Sequence, residues 1–593
     1  MQELKQLYAE RQTKFTLSLK EINKTLRSIS LGRIAIALLF IFLCYLGFSQ
    51  SFFFYILPFV GAGFLYLVSL YNKGFQKSQL LENLVKLNDL EQKALDHDYS
   101  NFKSGERFLD PHHPYSYDLD LFGSGSLFQY LNRCGTTIGE NRLAELLLTP
   151  RSDKQNIYNR QEAVKDLQDK IQFRQDFWAH ATLKKGSSFE IKKILEWAKG
   201  ENFIDGKPVY RILLMVGPII PLSLLAAVIL VSTSWIPALL MAMSIQWSIP
   251  AFHSRKVARV HDVLSNQKHA VERYWVLLNL MANQGFASRI FQSIREEAIE
   301  ASIKVREFSN LINALESRKN GIANLLGNSF FLYDLQSIRR LEHWRNVNAK
   351  HLPHWLEIIA EADALCAMGT FHFNNPSYAF PVIDEKLKIK AEDLGHPLIA
   401  SAERIGNDFS QGDPESIMIV TGANMAGKST FLRAVGVNLV LALAGAPVCA
   451  KTFSCTIMGL RSGMRTSDSL QEHQSYFYAE LHRLQSIMED LRSGKPLLIL
   501  LDEILKGTNS TDKQSGSIAI VEQLVKLNAL VLLATHDVIL GELQERFPGR
   551  VINGCFESQV DGARLTFDYK LKPGIAQKAN ATFLMKQMGI IPE

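Results

Sequence analysis

The stretch Thr421-Gly422-Ala423-Asn424-Met425-Ala426-Gly427-Lys428-Ser429-Thr430 follows the apolar run Ile417-Met418-Ile419-Val420 and leads into a helix-forming segment. Two glycines enclosing four variable residues, followed at once by Lys and Ser, form the pattern of a phosphate-binding loop. Gly422 and Gly427 permit a backbone that wraps anionic oxygens with N–H groups, and the next helix points its positive end at them. On this reading Gly422, Ala423, Asn424, Met425, Ala426, Gly427, Lys428, Ser429 and Thr430 make the cradle. Lys428 reaches the β- and γ-phosphates, and Ser429 ligates Mg²⁺. At ordinary residue frequencies the fixed positions would coincide by accident about 0.02 times in a chain this long, so a mere glycine turn is set aside.

A second buried run, Leu497-Leu498-Ile499-Leu500-Leu501, ends in Asp502-Glu503. Open α/β sheets bind ligands at the C-terminal ends of their strands, which is where these carboxylates fall. Asp502 is expected to hold Mg²⁺ through water, and Glu503 to polarise the attacking water, because γ-phosphoryl chemistry is mostly positioning and charge neutralisation. A third run, Ala529 to Leu533, leads to Thr535-His536, and His536 is expected to reach the γ-phosphate or the attacking water. Beyond Val382 short β-type runs alternate with helical segments, the mark of an α/β domain with central parallel strands.

With 593 residues the chain is long enough for several domains, and its net charge of +6 is too dilute to imply nucleic acid by itself. Six cysteines are scattered without a Cys-x-x-Cys pair or His at ligand spacing, which predicts reduced, mostly buried thiols. His112-His113 reads as a solvated turn for the same reason.

Residues 34 to 72 contain no Asp, Glu, Lys or Arg, and divide into Ile34–Phe48 and Phe52–Leu70 around Ser49-Gln50-Ser51. Residues 212 to 254 repeat the pattern, as Ile212–Val231 and Trp235–Ile249 around Ser232-Thr233-Ser234. A crossing takes about 20 apolar residues, so two transmembrane hairpins are expected, with the first and fourth segments short. Pro218, Pro221 and Pro237 are expected as kinks. Arg27, Arg33, Lys73 and Lys77 flank the first hairpin, Lys207, Arg211, Arg255 and Lys256 the second, and both tips are uncharged. The positive-inside rule then sets the rest of the chain on the cytoplasmic side of the inner membrane. A cleaved signal peptide is not expected, since some thirty residues of charged sequence precede the apolar run.

The intervening sequence is helical by periodicity. Residues 1 to 30 read as an amphipathic helix carrying Leu4, Leu7, Phe15, Leu17 and Leu19, and Gln76 to His97 as the continuation of the second span. Asp98 to Gly125 reads as loop, Ser126 to His180 and Lys256 to Met368 as helix, with Trp355, Ile358, Ile359, Ala362, Leu365 and Cys366 on one face. The resulting division is 1–30, hairpin 31–72, helical region 73–205, hairpin 206–254, helical core 255–385 and nucleotide-binding domain 386–593.

Taken together, Gly422 to Thr430, Asp502-Glu503-Ile504, Lys506-Gly507-Thr508-Asn509-Ser510-Thr511-Asp512 and Thr535-His536 resemble the ATPase domain of the MutS mismatch-repair family. Gly395-His396-Pro397, Asn407-Asp408 and the segment Tyr569 to Gly589 fit the same pattern. Gly125-Ser126-Leu127, Leu131-Asn132-Arg133-Cys134, Gly139, Arg142-Leu143, Pro150 and Arg160-Gln161 resemble the start of its helical core. The resemblance implies an α/β P-loop NTPase domain (ABC-class, MutS-like) behind an all-α MutS-core-like region, using ATP and Mg²⁺. It also implies a homodimer in which a serine from one subunit completes the other's site, and Ser475 matches that serine. His473 stands where the family usually has glycine, and Ala423 and Ala426 replace its usual Pro and Gly. Asn424 matches the family's asparagine, whose amide would bond the γ-phosphate side.

Family members that detect mismatches wedge a Phe from a Phe-x-Glu motif between bases, and this sequence contains no Phe-x-Glu. About 115 residues precede the core and the first hairpin takes a third of them, so mismatch-reading domains are not expected. One expectation is a membrane-anchored homodimeric ATPase, in contact with membrane lipid, that still grips DNA backbone through Arg255, Lys256, Arg259, Arg339, Arg340 and Arg345, in a mismatch-repair-related role. The alternative is a DNA-independent mechanoenzyme that moves its helical core against the spans to regulate another membrane protein. An ABC-type transporter is the weakest reading, since four short spans make a meagre path.

Overall fold

The computed structural model describes residues 2–149, 153–183, 188–316, 321–465, 476–506, 508–527, 529–561 and 564–577. Its sequence order is a helical hairpin, a helical region interrupted by a second hairpin, and a C-terminal α/β unit.

The first hairpin comprises the helices Gln2–Gly47 and Leu57–Leu95, joined through a short turn at Ser51–Tyr55. The amphipathic segment and the first apolar segment are therefore one unbroken helix of 46 residues, not two elements meeting near residue 30. Tyr8, Phe15 and Leu26 are buried on it, whereas Leu17 faces outward. Its apolar end is bare: Phe48 and Phe59 are 86% and 79% exposed. The polar end is fastened by a buried ion pair, Glu91 with Arg133, at 2.6 Å. Asn374 donates to the same carboxylate at 2.8 Å and accepts from the Tyr8 hydroxyl at 2.8 Å. Every partner of this buried charge is thus satisfied, as burial of a carboxylate demands.

The second hairpin rises as Pro208–Val216 and Ile219–Leu230 and returns as Ile236–Phe252. Among the described residues, four helices are long and apolar enough to cross a membrane. Of the three prolines expected as kinks, only Pro218 breaks a helix. Pro221 and Pro237 sit in first turns, where a missing N–H costs no helical hydrogen bond. Pro250, inside Ile236–Phe252, had no place in that expectation. The hairpin's root is held by Glu342, whose carboxylate accepts from the backbone N–H groups of Phe203, Ile204 and Asp205 at 2.6–2.8 Å.

Between the hairpins, helices start where side chains cap them: Ser126 accepts from Gln129 N, Thr136 from Gly139 N and Asp153 from Asn156 N. The helix Leu352–Asn374 buries the expected face, including Trp355, Ile358, Ile359, Ala362, Leu365 and Cys366. Asp363 on it accepts from Gly135 N, Thr136 N and the Thr136 hydroxyl, and burial pushes its carboxyl up to about 6 against those bonds. A Cβ on Gly139 would come within 2.2 Å of Asp363 Oδ2, so this approach requires glycine. All six cysteines are free, and all but Cys44 are buried. His113 is half-turned inward and accepts from Ser116 N at 3.1 Å, and no cluster of metal-ligating side chains occurs among the described residues.

The α/β unit holds two sheets. The smaller contains β1 (Val382–Asp384), β2 (Lys388–Leu394), β3 (Asn407–Gly412) and β5 (Thr452–Thr456), in the order β1-β5-β2-β3. The larger contains β4 (Ile417–Gly422), β6 (Gly459–Gly463), β7 (Leu497–Asp502), β8 (Ala529–Thr535), β9 (Val551–Asp561) and β10 (Arg564–Pro573). Its order is β10-β9-β4-β8-β7-β6, parallel throughout except for β10. β4, β7 and β8 are the three apolar runs expected as central parallel strands, buried on both faces.

The helix Lys428–Ala444 lies between this sheet and the helical region. A Cβ on Gly436 would stand 2.7 Å from Leu500 of β7 and 2.9 Å from Leu119, so one helix packs tightly against both. The hydrophobic core runs continuously from Leu127 and Phe177 through Leu432 and Val435 to Leu532. Movement of this helix must therefore be felt in the helical region, because close-packed interiors transmit displacement.

Candidate nucleotide site

The loop after β4 closes at Gly427, whose φ of 106° is left-handed and ends directly on the helix Lys428–Ala444. Met425 is left-handed too (φ 67°) and points outward. A Cβ on Gly422 would lie 2.6 Å from the carbonyl oxygen of Phe556, so β9 can flank β4 here only because the side chain is missing. The loop's geometry follows from those two glycines. Lys428 is buried, and its Nζ donates to the carbonyls of Gly422 and Ala423 at 2.7 and 2.9 Å. Burial lowers its pKa, opposed by the nearby charges of Glu503 and Asp502.

Asp502 ends β7, and Glu503 follows in the left-handed region at φ 53°, as does Leu505 at φ 59°. Such conformations cost a non-glycine residue about 1–3 kcal/mol and persist where surroundings over-determine them. Here Glu503 N donates to Ala534 O at 2.9 Å, and Leu505 N donates to Glu480 Oε1 at 2.5 Å. Glu503 Oε1 faces His536 Nδ1 at 3.1 Å, and Lys506 Nζ stands 4.0 Å from Oε2. Burial pushes the Glu503 carboxyl up, but the bond and charge of His536, with Lys506 and Lys513, outweigh it and hold it below the usual range. His536 thus lies against the second carboxylate, Glu503.

Loop and carboxylates line one cleft of about 810 Å³, together with Asn424, Ser429, Thr430, Lys506, His396, Ile399, Ile405, Phe556 and Tyr569. That is ligand-sized. Burial drives the His396 pKa down to about 4, so its ring is neutral. Asn407, at the start of β3, donates to Tyr569 O at 3.1 Å and accepts from Leu571 N at 2.7 Å, which holds the irregularity in β10 that brings Tyr569 over Gly427. Ser475 lies outside the described residues, as do His473, Gly507 and the end of the Tyr569–Gly589 segment. The described helix Tyr476–Arg492 begins one residue after Ser475.

That helix is held by contacts distant in the chain. Glu480 ties it to the strained turn, and Arg483 donates to Asp118 Oδ2 at 2.7 Å and to Arg465 O at 2.8 Å. Asp118 is fully buried and also accepts from Met464 N and Arg465 N, both at 3.1 Å. It sits in the segment read only as loop, and nothing in a short window of sequence marks it. Of the cations expected to face DNA, Arg345 is withdrawn: it is buried, stacked on Trp197 and donating to Trp197 O and Asn202 Oδ1. An aromatic face and two acceptors already satisfy the guanidinium. Arg255, Lys256, Arg259 and Arg340 are exposed, although Lys256 covers the Phe203 ring.

A parallel sheet that opens a glycine loop onto a helix N-terminus, opposite paired carboxylates, defines the class of phosphate-loop α/β domains. Family comparison narrows this. The model of MutS domain III matches residues 116–493, and that of MutS domain V matches 418–593. The chain belongs to the MutS family. It is 31% identical over 247 residues to a DNA mismatch repair protein MutS of Thermotoga maritima, covering 41% of this chain and 30% of that one. It is 32% identical over 239 residues to that of Acetivibrio thermocellus (39% and 27%) and 30% over 255 residues to that of Methanosarcina mazei (41% and 28%). The matched stretch thus spans less than a third of each relative.

Proposed function

We propose that the chain is a membrane-anchored MutS-family ATPase that binds and hydrolyses ATP as a homodimer. The observation that carries this reading is the cleft itself, where Lys428 and Ser429 face Asp502 and Glu503 across a glycine-rich loop. The donor set fits ATP with Mg²⁺: left-handed glycine backbone and a helix N-terminus for phosphate oxygens, a hydroxyl and a carboxylate for a hard cation. Mg²⁺, when bound, neutralises charge on the β- and γ-phosphates.

The protein's own groups do the rest. Lys428 exchanges its loop carbonyls for phosphate oxygens, Ser429 and Asp502 hold the metal, and Asn424 donates on the γ-phosphate side. Glu503, kept ionised, orients and deprotonates the attacking water, and His536 holds Glu503 in place. Ile399, Ile405, Phe556 and Tyr569 offer an apolar wall for the base. Ser475 of a second copy completes the site from across the interface, as the family resemblance implies.

The two hairpins anchor this engine in the inner membrane with its α/β domain toward the cytoplasm. Large apolar side chains face outward along both, and basic residues gather at their roots, which is what a bilayer accommodates and water does not. DNA remains a candidate ligand through Arg255, Lys256, Arg259 and Arg340, in a repair-related role without a Phe-x-Glu reader. The continuous helix from Gln2 to Gly47 and the clamp at Glu91 favour a second reading, a DNA-independent mechanoenzyme that passes closure of the α/β domains to the spans. ATP turnover of the detergent-solubilised protein, with and without duplex and branched DNA over a salt series, separates the two. Stimulation that fades with salt supports DNA; turnover indifferent to DNA, with no retention at low salt, supports the second. No turnover at all overturns both.

A further inference from the structure

The helix Gly321–Phe331 is built inside out. It contains no charged residue; of its polar side chains Asn328 and Ser329 are buried at 2% exposure each, and Asn324 is half-buried and accepts from the Asn328 amide. Its apolar ones face outward: Leu325 at 51%, Leu326 at 48% and Phe331 at 46%. A helix in water turns the opposite way, its apolar stripe to the core. Polar side chains turned into a bundle and apolar ones turned out are the arrangement of helices in lipid.

Its surroundings agree. The helix packs on Ile236–Phe252 of the second hairpin, so its outward face continues that hairpin's apolar surface, where Leu240 and Met241 are also exposed. Contact is close at Gly217, where a Cβ would stand 2.8 Å from Leu332 and 3.0 Å from the Gln246 amide. Small residues at such contacts are usual between membrane helices. Leu332 turns the chain sharply in the left-handed region (φ 52°), with Asn328 Oδ1 accepting from Asp334 N at 2.9 Å. Arg318 and Lys319 precede the helix, and Arg339 and Arg340 follow. Eleven residues make about 16 Å, half of a hydrocarbon core of about 30 Å, too short to cross.

We propose that Gly321–Phe331 is a fifth lipid-contacting element, inserted into the cytoplasmic leaflet beside the second hairpin and contacting acyl chains through Leu325, Leu326 and Phe331. The proposal rests on the membrane reading above. It makes the helical core, between Arg289–Glu316 and Tyr333–Asn348, a direct reader of the bilayer.

The test uses the full chain with Cys44→Ser, whose other thiols are buried. Single cysteines at Leu325, at Leu326, at Ile229 on the hairpin and at Glu385 on the aqueous surface carry an environment-sensitive fluorophore. The proteins are reconstituted in phosphatidylcholine/phosphatidylglycerol vesicles with and without spin-labelled acyl chains. The expected result is blue-shifted emission quenched at least twofold at 325 and 326, as at 229, with none at 385. Quenching at 229 without quenching at 325 or 326 overturns this proposal and leaves the anchoring intact. A blue shift without lipid quenching means that a protein surface, such as a second copy, covers the helix, and overturns it equally. Absence of quenching at 229 as well overturns the membrane reading itself.

Discussion

His536 Nδ1 lies 3.1 Å from Glu503 Oε1, so the residue that follows β8 holds the carboxylate that follows β7. With this partner Glu503 stays ionised below the usual carboxylate range despite burial. A general base must be deprotonated, so the acid limb of kcat should fall below pH 4.5, the ordinary value for glutamate. His536→Ala removes the strongest opposing influence and leaves burial to raise the pKa. The limb should move to higher pH, and kcat at neutral pH should fall about tenfold or more as the carboxylate loses its orientation. A pH–rate profile of both proteins measures this, and coincident acid limbs would refute the pairing.

Glu503→Gln keeps size and loses the base. ATP affinity should be retained while kcat drops about 10²–10⁴-fold, with the ATP-bound dimer accumulating. Lys428→Ala should instead weaken ATP binding, since the loop loses its cation. Equilibrium binding of a fluorescent ATP analogue alongside single-turnover hydrolysis distinguishes the two. Ser475→Ala should lower hydrolysis and spare binding if the second copy supplies it.

Asp118 is a buried carboxylate with Arg483 as its charged partner, and it fastens the helix Tyr476–Arg492 to the helical region. Asp118→Ala leaves that guanidinium without its counterion, a change that costs about 3–5 kcal/mol at buried pairs. The thermal midpoint should fall by several degrees. ATP turnover should fall as well, because the same helix carries Glu480, which supports the Glu503 turn. A thermal melt and a turnover assay of one preparation check both.

His396 is neutral in the fold, with a pKa near 4 against 6.5 when free. A depressed pKa means that the unfolded chain takes up the proton first. Its contribution is fully present above pH 6.5 and is lost as pH falls toward 4, up to about 3 kcal/mol in all. His396→Gln should flatten the dependence of the thermal midpoint between those pH values. An equally steep fall in the variant would assign the loss to other groups.

The phosphate loop, the carboxylates after β7 and the three central strands were legible because each lies in one short window with a fixed period or spacing. The apolar hairpins were legible for the same reason, whereas their joins and proline positions were not: Gln2–Gly47 is one helix because nothing near residue 30 breaks it, and Pro221 and Pro237 sit in first turns. What could not be read depends on partners far away in the chain. Asp118 meets Arg483 across 365 residues, and Arg345 looks like a free cation until Trp197 lies beside it. Gly321–Phe331 hid among helices because it is shorter than a span and its outward face is visible only once Asn328 and Ser329 are seen to be buried.

ATP hydrolysis measured across a density gradient in which the reconstituted full chain floats with its vesicles joins the two halves of this reading in one readout. Activity that rises with the lipid, persists through a high-salt wash and vanishes with Glu503→Gln is the expected result. Activity left at the bottom of the gradient, or undiminished in Glu503→Gln, would contradict it.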